Sequence, residues 1–418
     1  GHYEYPDFYE HILKNVTRGV YDDEIMHKYS CEEIDELGAY MKPERDDNFG
    51  YAATTQLRGK YLVQHRVSGE IYESPQHLYM LVGMCLYQDW ADGDMGKTRL
   101  EMVKGFYDVT STFKLSLPTP IMAGVRTPTR QFSSCVLIES GDSLKSINAT
   151  TSAIVEYISQ RAGIGVNFGS IRALGSPIRN GEATHTGVIP FLKLFQAAVK
   201  SCSQGGVRGG AATAYYPLWH LEANSLLVLK NNRGVESNRV RHMDYGVELN
   251  RLMYRRLIEG GAITLFSPHD VPGLLNAFYA DQDEFERLYV QYENDPSIRK
   301  ESVPAVELFS SLMQERASTG RIYIANIDHM NTHGAFDEAV APIKQSNLCA
   351  EIALPTKPLA FTDDPNGEIA LCTLSAFNLG ALESLADLEE VAFYAVSALD
   401  CLLDYQDYPM FAAETPAK

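Results

Sequence analysis

The sequence lacks the cysteine patterns of a metal site and of a disulfide-stabilised protein. Its seven cysteines form no C-x-x-C pair and no zinc-type spacing, which predicts no metal site in the chain. Long apolar runs are absent too: the longest, residues 79–87, is too short to cross a bilayer, and the first residues do not resemble a signal peptide. These absences exclude a disulfide scaffold and a membrane protein, and they predict a cytoplasmic location.

Basic residues are scarce relative to acidic ones. The chain has 36 Lys and Arg against 54 Asp and Glu, a net charge of −18. Because nucleic acids and acidic membranes attract basic surfaces, this balance predicts no nucleic-acid partner and no membrane partner. Small phosphorylated ligands remain compatible, since they need only a local pocket. The length of 418 residues allows two or three domains with a large core.

The periodicity of the apolar residues changes along the chain. Up to about residue 125, segments such as CEEIDELGAYM show helical spacing. From about residue 130, strand-like segments alternate with helical ones; the strand-like segments are 131–140, 163–174, 261–267 and 320–326. Strand–helix–strand alternation predicts parallel pairing, including that of 261–267 with 320–326, and hence an α/β sheet or barrel.

Residues 345–358, QSNLCAEIALPTKP, place Asn347, Cys349 and Glu351 at every second position. In an extended strand, alternate residues face the same side, so this spacing predicts an amide, a thiol and a carboxylate in a row. A buried carboxylate needs a partner, and a purely structural explanation therefore requires a cation beside Glu351. The pattern favours a catalytic site.

Three further segments each have two interpretations. Cys135 in SSCVLIE and Cys372 in IALCTLS lie in apolar strand-like segments and by themselves are typical of core cysteines. Residues 202–213, CSQGGVRGGAAT, fit either a loop that approaches a nucleotide closely or an ordinary turn. This segment has no P-loop Lys-Ser/Thr, and no G-x-G-x-x-G occurs nearby.

The chain contains six long segments in this order: FSSCVLIESGDSL, QRAGIGVNFGSIRALGSPIR, SCSQGGVRGGAAT, NNRGVESNRVRHMDY, QSNLCAEIALPTKPL and GEIALCTLSAFNLG. Together these segments resemble the large catalytic subunit of aerobic (class I) ribonucleotide reductases. The resemblance implies an α/β fold with a helical N-terminal domain over 1–125 and no ATP-binding cone. Residues 126–385 would form the first half of a ten-stranded α/β barrel, its radical-cysteine loop over 340–360 and the first strand of the second half. Residues 386–418 would be a helix and an unmatched tail.

The same resemblance implies the site residues. Cys349 would carry a thiyl radical, Glu351 would act as general base, and Asn347 would bind substrate hydroxyls, while Cys135 and Cys372 would be the redox pair that ends as a disulfide. The residues expected at the substrate are Thr119, Ser134, Cys135, Gly163, Asn347 and Glu351. Those expected at a dNTP or ATP effector are Asp142, Ser143, Leu144, Arg172 and Arg179. A loop containing Cys202, Gln204 and Arg208 would relay effector identity to the substrate.

The implied function is reduction of ribonucleoside diphosphates to deoxyribonucleoside diphosphates, with specificity set by a dNTP. No cofactor would be bound covalently, because the radical would come from a metal cofactor on a small subunit. The expected partners are the substrate, the effector, that small subunit, thioredoxin or glutaredoxin, and a second copy of the chain. Because the resemblance stops near residue 409, we expect an N-terminal part of a split or truncated subunit that needs a C-terminal half.

Two alternatives remain open. Anaerobic glycyl-radical reductases also use a central thiyl, but they carry a C-terminal glycyl segment for which the sequence has no counterpart. A non-catalytic chain would bind a dNTP at Asp142 and Arg172 without turnover. Nucleotide binding without restored turnover would favour this second alternative.

Overall fold

The computed structural model describes residues 4–204 and 208–418. Its α-helices are α1 (Phe8–Thr17), α2 (Glu24–Lys28), α3 (Cys31–Tyr40), α4 (Tyr51–Gln56), α5 (Pro75–Leu86), α6 (Arg99–Ser111), α7 (Thr119–Gly124), α8 (Leu144–Ser159), α9 (Ile189–Ser201), α10 (Ala223–Leu226), α11 (Arg251–Ile258), α12 (Leu274–Ala280), α13 (Gln282–Glu293), α14 (Ala305–Thr319), α15 (Ile327–Thr332), α16 (Asp387–Tyr405) and α17 (Phe411–Ala417). None of the helices in this part of the chain has the length and apolar character needed to cross a bilayer.

The β-strands are mostly short. They are β1 (Leu115–Ser116), β2 (Cys135–Glu139), β3 (Gly163–Asn167), β4 (Pro177–Ile178), β5 (Ala183–Thr184), β6 (Ser203–Gln204), β7 (Arg208–Gly209), β8 (Ala212–Pro217), β9 (Asp244–Leu249), β10 (Ala262–Phe266), β11 (Lys300–Pro304), β12 (Ile322–Asn326), β13 (Ala370–Cys372) and β14 (Ala376–Phe377).

The chain divides into two compact units that interleave along the sequence. The helical unit comprises residues 1–134, 373–408 and 418, and the sheet unit comprises residues 135–372 and 409–417. The sequence suggested three consecutive ranges, 1–125, 126–385 and 386–418. In the structure α16 instead packs on α5 and α6 of the helical unit, whereas α17 packs on β13 of the sheet unit.

The helical unit is built from amphipathic helices around one apolar core. Helix α3 begins with a capping box in which the side chains of Ser30 and Glu33 each accept the other's backbone N–H, and α6 begins in the same way. Almost every residue of α5 is buried, because α6 and α16 cover it. A buried ion pair between Arg126 and Glu73 lies in the same unit, and both of its side chains are inaccessible to solvent.

The sheet unit contains a six-stranded sheet in the order β12-β9-β8-β3-β2-β13. Five of these strands are parallel, and β13 is antiparallel to β2. Strands β2 and β3 are buried along their whole length, as the apolar runs of a covered parallel sheet require. Within the described residues the sheet is open, with β12 and β13 at its edges. This confirms the predicted fold of a helical region followed by half of an α/β barrel and one further strand.

One predicted pairing is wrong. Strand β10, in the segment 261–267, pairs antiparallel with β11 in a separate two-stranded sheet, and the parallel neighbour of β12 is β9. The physical reason is that β11, with the sequence KESVP, is largely exposed and shows no apolar strand pattern. A strand's apolar pattern indicates that it is buried, but it does not specify which distant strand pairs with it.

Candidate active site

Two of the predicted site cysteines face each other in the sheet. In the antiparallel pair of β2 and β13, Cys372 lies directly opposite Cys135. Directly opposed residues of antiparallel strands have Cα atoms about 4.5–5.5 Å apart, within the range that a disulfide bridges. Cys135 is buried and Cys372 is half-buried. The two side chains therefore lie on one face of the sheet, at a separation suited to reversible disulfide chemistry.

The next strand, β3, brings a third predicted residue to the same place. Gly163 is the register partner of Cys135 on its other side. A Cβ atom at Gly163 would lie 2.6 Å from Cδ2 of Leu348, and one at Gly165 would lie 2.2 Å from the carbonyl oxygen of Ser346. Residues 346–348 thus run directly across β3, where only glycine leaves room for them. This places the residue that precedes Cys349 against the register partner of Cys135.

Residues 346–352, here named the cysteine turn, do not form the extended strand expected from the alternating pattern. The backbone N–H of Ala350 donates to the carbonyl of Asn347 over 3.3 Å, and Ala350 has a φ of 62°. Asn347 is fully buried, whereas Cys349, Ala350 and Glu351 are exposed. The expectation that alternate residues share a face is therefore wrong, and the exposed Glu351 needs no buried cation.

Side-chain hydrogen bonds explain why the segment turns. The Oδ1 atom of Asn347 accepts the backbone N–H groups of Glu351 and Ile352, over 3.0 and 3.3 Å. The Ser346 hydroxyl donates to the carbonyl of Ile352 over 2.6 Å and closes the base of the turn. Asn and Ser side chains of this kind satisfy backbone groups that a strand would use in its ladder. The turn therefore exposes Cys349 and Glu351, while its base at Ser346 and Asn347 is buried.

Strand β8 holds the base of the cysteine turn. The Tyr215 hydroxyl donates to the carbonyl of Asn347 over 2.6 Å, and the Thr213 hydroxyl donates to that of Leu348 over 2.7 Å. The Nδ2 group of Asn347 has no hydrogen-bond partner in the part of the chain that the structure describes. A buried amide donor of this kind has hydrogen-bonding capacity left for a ligand.

A partly buried ion pair that was not predicted from the sequence lies just before the cysteine turn. The Lys344 ammonium contacts the Glu139 carboxylate over 3.1 Å, and the Thr356 hydroxyl donates to the same carboxylate over 3.1 Å. Burial raises the pKa of Glu139, and the adjacent Lys344 charge opposes that rise. The available signal was an acid at the end of the otherwise apolar strand CVLIE.

The predicted effector residues come together in part. Arg172 donates to both carboxylate oxygens of Asp142, from its backbone N–H and from Nε, over 2.8 Å each. The Ser143 side chain caps α8 by accepting the backbone N–H of Ser146. Leu144, in the first turn of α8, is exposed. These groups form a polar surface at the N-terminus of a 16-residue helix.

Arg179 follows β4, where the carbonyl of Pro177 accepts a hydrogen bond from Nη1 of Arg172 over 2.7 Å, and the predicted specificity loop follows α9. Arg179 is exposed in a turn after β4 and has a φ of 50°. Cys202 is half-buried, and Gln204 and Arg208 are backbone partners in the hairpin of β6 and β7. The tip of that loop, residues 205–207, lies outside the described residues.

The two remaining predicted substrate residues belong to the helical unit. Thr119 is the first residue of α7, and its hydroxyl lies 3.3 Å from that of Tyr61. Ser134 is the last residue of the unit's first segment and directly precedes Cys135 in the chain. Across residues 4–204 and 208–418, no three His, Cys, Asp or Glu side chains are grouped so that they could hold a metal ion.

Comparison with known proteins assigns the family. The family model described as "Ribonucleotide reductase, barrel domain" matches residues 133–418, and the model "Ribonucleotide reductase, all-alpha domain" matches residues 47–130. The barrel match thus includes the tail after residue 409, which was predicted to be unmatched.

Curated relatives agree with the domain models. Ribonucleoside-diphosphate reductase subunit alpha of Haemophilus influenzae is 68% identical over 99% of this chain and 54% of its own length. Ribonucleoside-diphosphate reductase 1 subunit alpha of Salmonella typhimurium is 69% identical over 100% of the chain and 54% of its own length. The subunit alpha of Enterobacteria phage T4 is 56% identical over 100% and 55%. The chain spans about half the length of these relatives, and it belongs to the family of ribonucleotide reductase large subunits.

Proposed function

We propose that this chain provides the radical cysteine, the general base and the redox cysteine pair for the reduction of ribonucleoside diphosphates to deoxyribonucleoside diphosphates. The observation that carries the proposal is the register pairing of Cys135 with Cys372 next to a turn that exposes Cys349. Three thiols around one sheet face match the needs of a two-electron reduction that begins with hydrogen abstraction. The activity belongs to the assembled enzyme, because the relatives that perform it are nearly twice as long.

The proposed roles follow the placement of each group. Cys349, exposed at the tip of the cysteine turn, would remove the 3′-hydrogen of the ribose as a thiyl. Glu351, exposed two residues later, would accept the 3′-hydroxyl proton as general base. The unpaired amide donor of Asn347 would bind a substrate hydroxyl. The oxidising equivalent that activates Cys349 would come from a metal cofactor on a small subunit.

Cys135 and Cys372 would supply the reduction itself. Together the two thiols lose two electrons and two protons and form one disulfide. One proton goes to the 2′-hydroxyl, which leaves as water, and the two electrons and the other proton form the new C–H bond at the 2′ carbon. The hydrogen on Cys349 then returns to the 3′ carbon, which regenerates the thiyl of Cys349. A dithiol protein such as thioredoxin or glutaredoxin would reduce the disulfide before the next turnover.

We further propose that a dNTP or ATP effector binds beside Asp142, Ser143, Leu144, Arg172 and Arg179. The N-terminus of α8 supplies the partial positive charge that favours a phosphate there. Cys202, Gln204 and Arg208 would relay its identity to the substrate base. We also propose that two copies of the chain associate and that the protein is located in the cytoplasm.

The test combines this chain with a polypeptide that carries the remainder of the relatives' length and with a radical-generating small subunit. We expect deoxyribonucleoside diphosphate formation that depends on all three, and effector binding by this chain measured by calorimetry. Effector binding without turnover in the complete mixture would support a non-catalytic nucleotide-binding chain instead. Turnover by this chain with the small subunit alone would contradict the proposed need for a C-terminal half.

A further inference from the structure

Three polar residues lie at or next to the carboxyl ends of parallel strands in the sheet unit. Glu139 and Asn167 are the last residues of β2 and β3 and are register partners, and Glu248 is the next-to-last residue of β9. Glu248 is fully buried, and Asn167 and Tyr279 of α12 are each only 3% exposed. Ligand sites of α/β sheets lie at this end of the strands, so polar groups buried here are placed to act on the site.

A chain of hydrogen bonds links these residues to the residue that begins the segment 344–352. The Tyr279 hydroxyl donates to Oε1 of Glu248 over 2.9 Å and accepts a hydrogen bond from Nδ2 of Asn167 over 3.0 Å. The same Nδ2 group donates its other hydrogen to the carbonyl of Lys344 over 2.5 Å. Oδ1 of Asn167 accepts the N–H of Gly169 over 2.7 Å, which fixes the orientation of the amide.

Glu248 is the acceptor at the end of this chain of hydrogen bonds. Burial raises the pKa of Glu248 well above its usual range, and the charge of Glu139 acts in the same direction. The hydrogen bond from Tyr279 opposes that rise, and Oε1 accepts it. Because its donor is engaged by Glu248, the Tyr279 hydroxyl presents a lone pair to Asn167, and this leaves Asn167 only one way to use its two hydrogens.

Lys344 is consequently held at two points. Its carbonyl accepts from Asn167, and its ammonium pairs with Glu139. The cysteine turn begins two residues later, where Ser346 and Leu348 cross the glycines of β3. A shift of the Lys344 carbonyl would therefore move the backbone of the cysteine turn and, with it, Cys349.

We infer that Glu248 is a positioning residue that acts through Tyr279 and Asn167 to fix the backbone of Lys344 and, through it, the placement of the cysteine turn. Its significance for catalysis rests on the proposed function of that turn. The position of the turn itself is a property that can be measured without any activity. No direct contact of Glu248 with substrate is part of the inference.

The test is amide hydrogen exchange on the full chain, read at Glu351 and Ile352, whose N–H groups are held by Asn347. Tyr279→Phe removes the hydroxyl and keeps the ring, and we expect exchange at these two amides to rise about fivefold, the equivalent of one hydrogen bond. The matched control is Tyr289→Phe, which removes another buried hydroxyl of the sheet unit, one that bonds the backbone of Thr264. In the control, hydrogen exchange at both amides should be unchanged.

A second pair of variants distinguishes the loss of the hydrogen bond to Glu248 from a general loss of folding. Glu248→Gln keeps an acceptor oxygen at the same place, and exchange should stay within about twofold of that in the unaltered chain. Glu248→Leu removes the acceptor, and exchange should rise as in Tyr279→Phe. Unchanged exchange in both Tyr279→Phe and Glu248→Leu would overturn the inference, and so would equal increases in Glu248→Gln and Glu248→Leu. If exchange rises as expected but Cys349→Ser keeps turnover, the proposed function fails while the inference stands.

Discussion

Cys135 and Cys372 lie opposite each other in adjacent antiparallel strands, although they are far apart in the sequence. Both thiols belong to short apolar strands whose patterns are those of ordinary core cysteines. The strand register makes the two thiols neighbours, which the sequence of neither segment indicates by itself.

Cys135→Ser should stop deoxyribonucleotide formation in the reconstituted enzyme while still allowing the first hydrogen abstraction. Serine keeps the size of the side chain but cannot give up electrons to form a disulfide. The measurement is product formed per turnover together with exchange of the substrate 3′-hydrogen. Cys31→Ser, which alters an exposed thiol at the start of α3 in the helical unit, is the control. Ordinary multiple turnover in Cys135→Ser would remove Cys135 from the redox pair.

Cys349→Ser should abolish both product formation and 3′-hydrogen exchange, because a serine hydroxyl does not form a radical under conditions that oxidise a thiol. Effector binding, measured by calorimetry, should be unchanged, since the expected effector residues Asp142 and Arg172 bond each other and are not part of the cysteine turn. Residual turnover above a few per cent would refute the radical role.

Gly165→Ala should displace the cysteine turn. The added methyl group would lie 2.2 Å from the Ser346 carbonyl oxygen and 2.8 Å from Cα of Asn347, so backbone atoms must move. Overpacking of this kind costs about 1–3 kcal/mol in the free energy of unfolding. Urea denaturation measures that loss, and activity should fall more than tenfold. The control is Gly50→Ala, where a methyl group meets no atom within 4 Å and the φ of −70° suits alanine. An equal effect of both variants would contradict the close approach at β3.

The helical unit should lose stability as the pH falls below neutrality. Burial lowers the pKa of His11 to about 4 and holds that of His77 well below its usual value, and the two rings stack at 3.7 Å. An unfolded histidine titrates near 6.5, so the unfolded state takes up protons that the native state does not bind. The contribution of the two uncharged histidines to the free energy of unfolding is complete above about pH 6.5 and is lost as the pH falls toward 4.

For His11 alone the loss between pH 7.5 and pH 5 amounts to about 2 kcal/mol. Trp90 belongs to the helical unit, so its fluorescence in a Trp219→Phe background follows the urea unfolding of that unit. A His11→Gln variant in the same background should show a shallower pH dependence. Identical pH dependence in the two chains would mean that His11 does not titrate with folding.

Part of the fold could be predicted from particular residues. The apolar periodicity of the first 125 residues indicates helices. The resemblance implies roles for Cys349, Glu351 and Asn347 and for the two strand cysteines, and these roles stay predictions. The conformation around Cys349 could not be predicted in this way. An alternating pattern predicts a strand only where the backbone groups join a ladder, and here the side chains of Ser346 and Asn347 take those hydrogen bonds instead.

The residues alone therefore settle which chemical groups the molecule has and which segments are buried, because side-chain type and periodicity are local properties. Folding decides which distant segments meet: Cys372 opposite Cys135, Leu348 against Gly163, and Tyr279 between Glu248 and Asn167. These relationships depend on strand register and on hydrogen bonds between groups far apart in the chain. No local pattern carries that information, since a buried apolar strand can satisfy its backbone equally well beside several different partners.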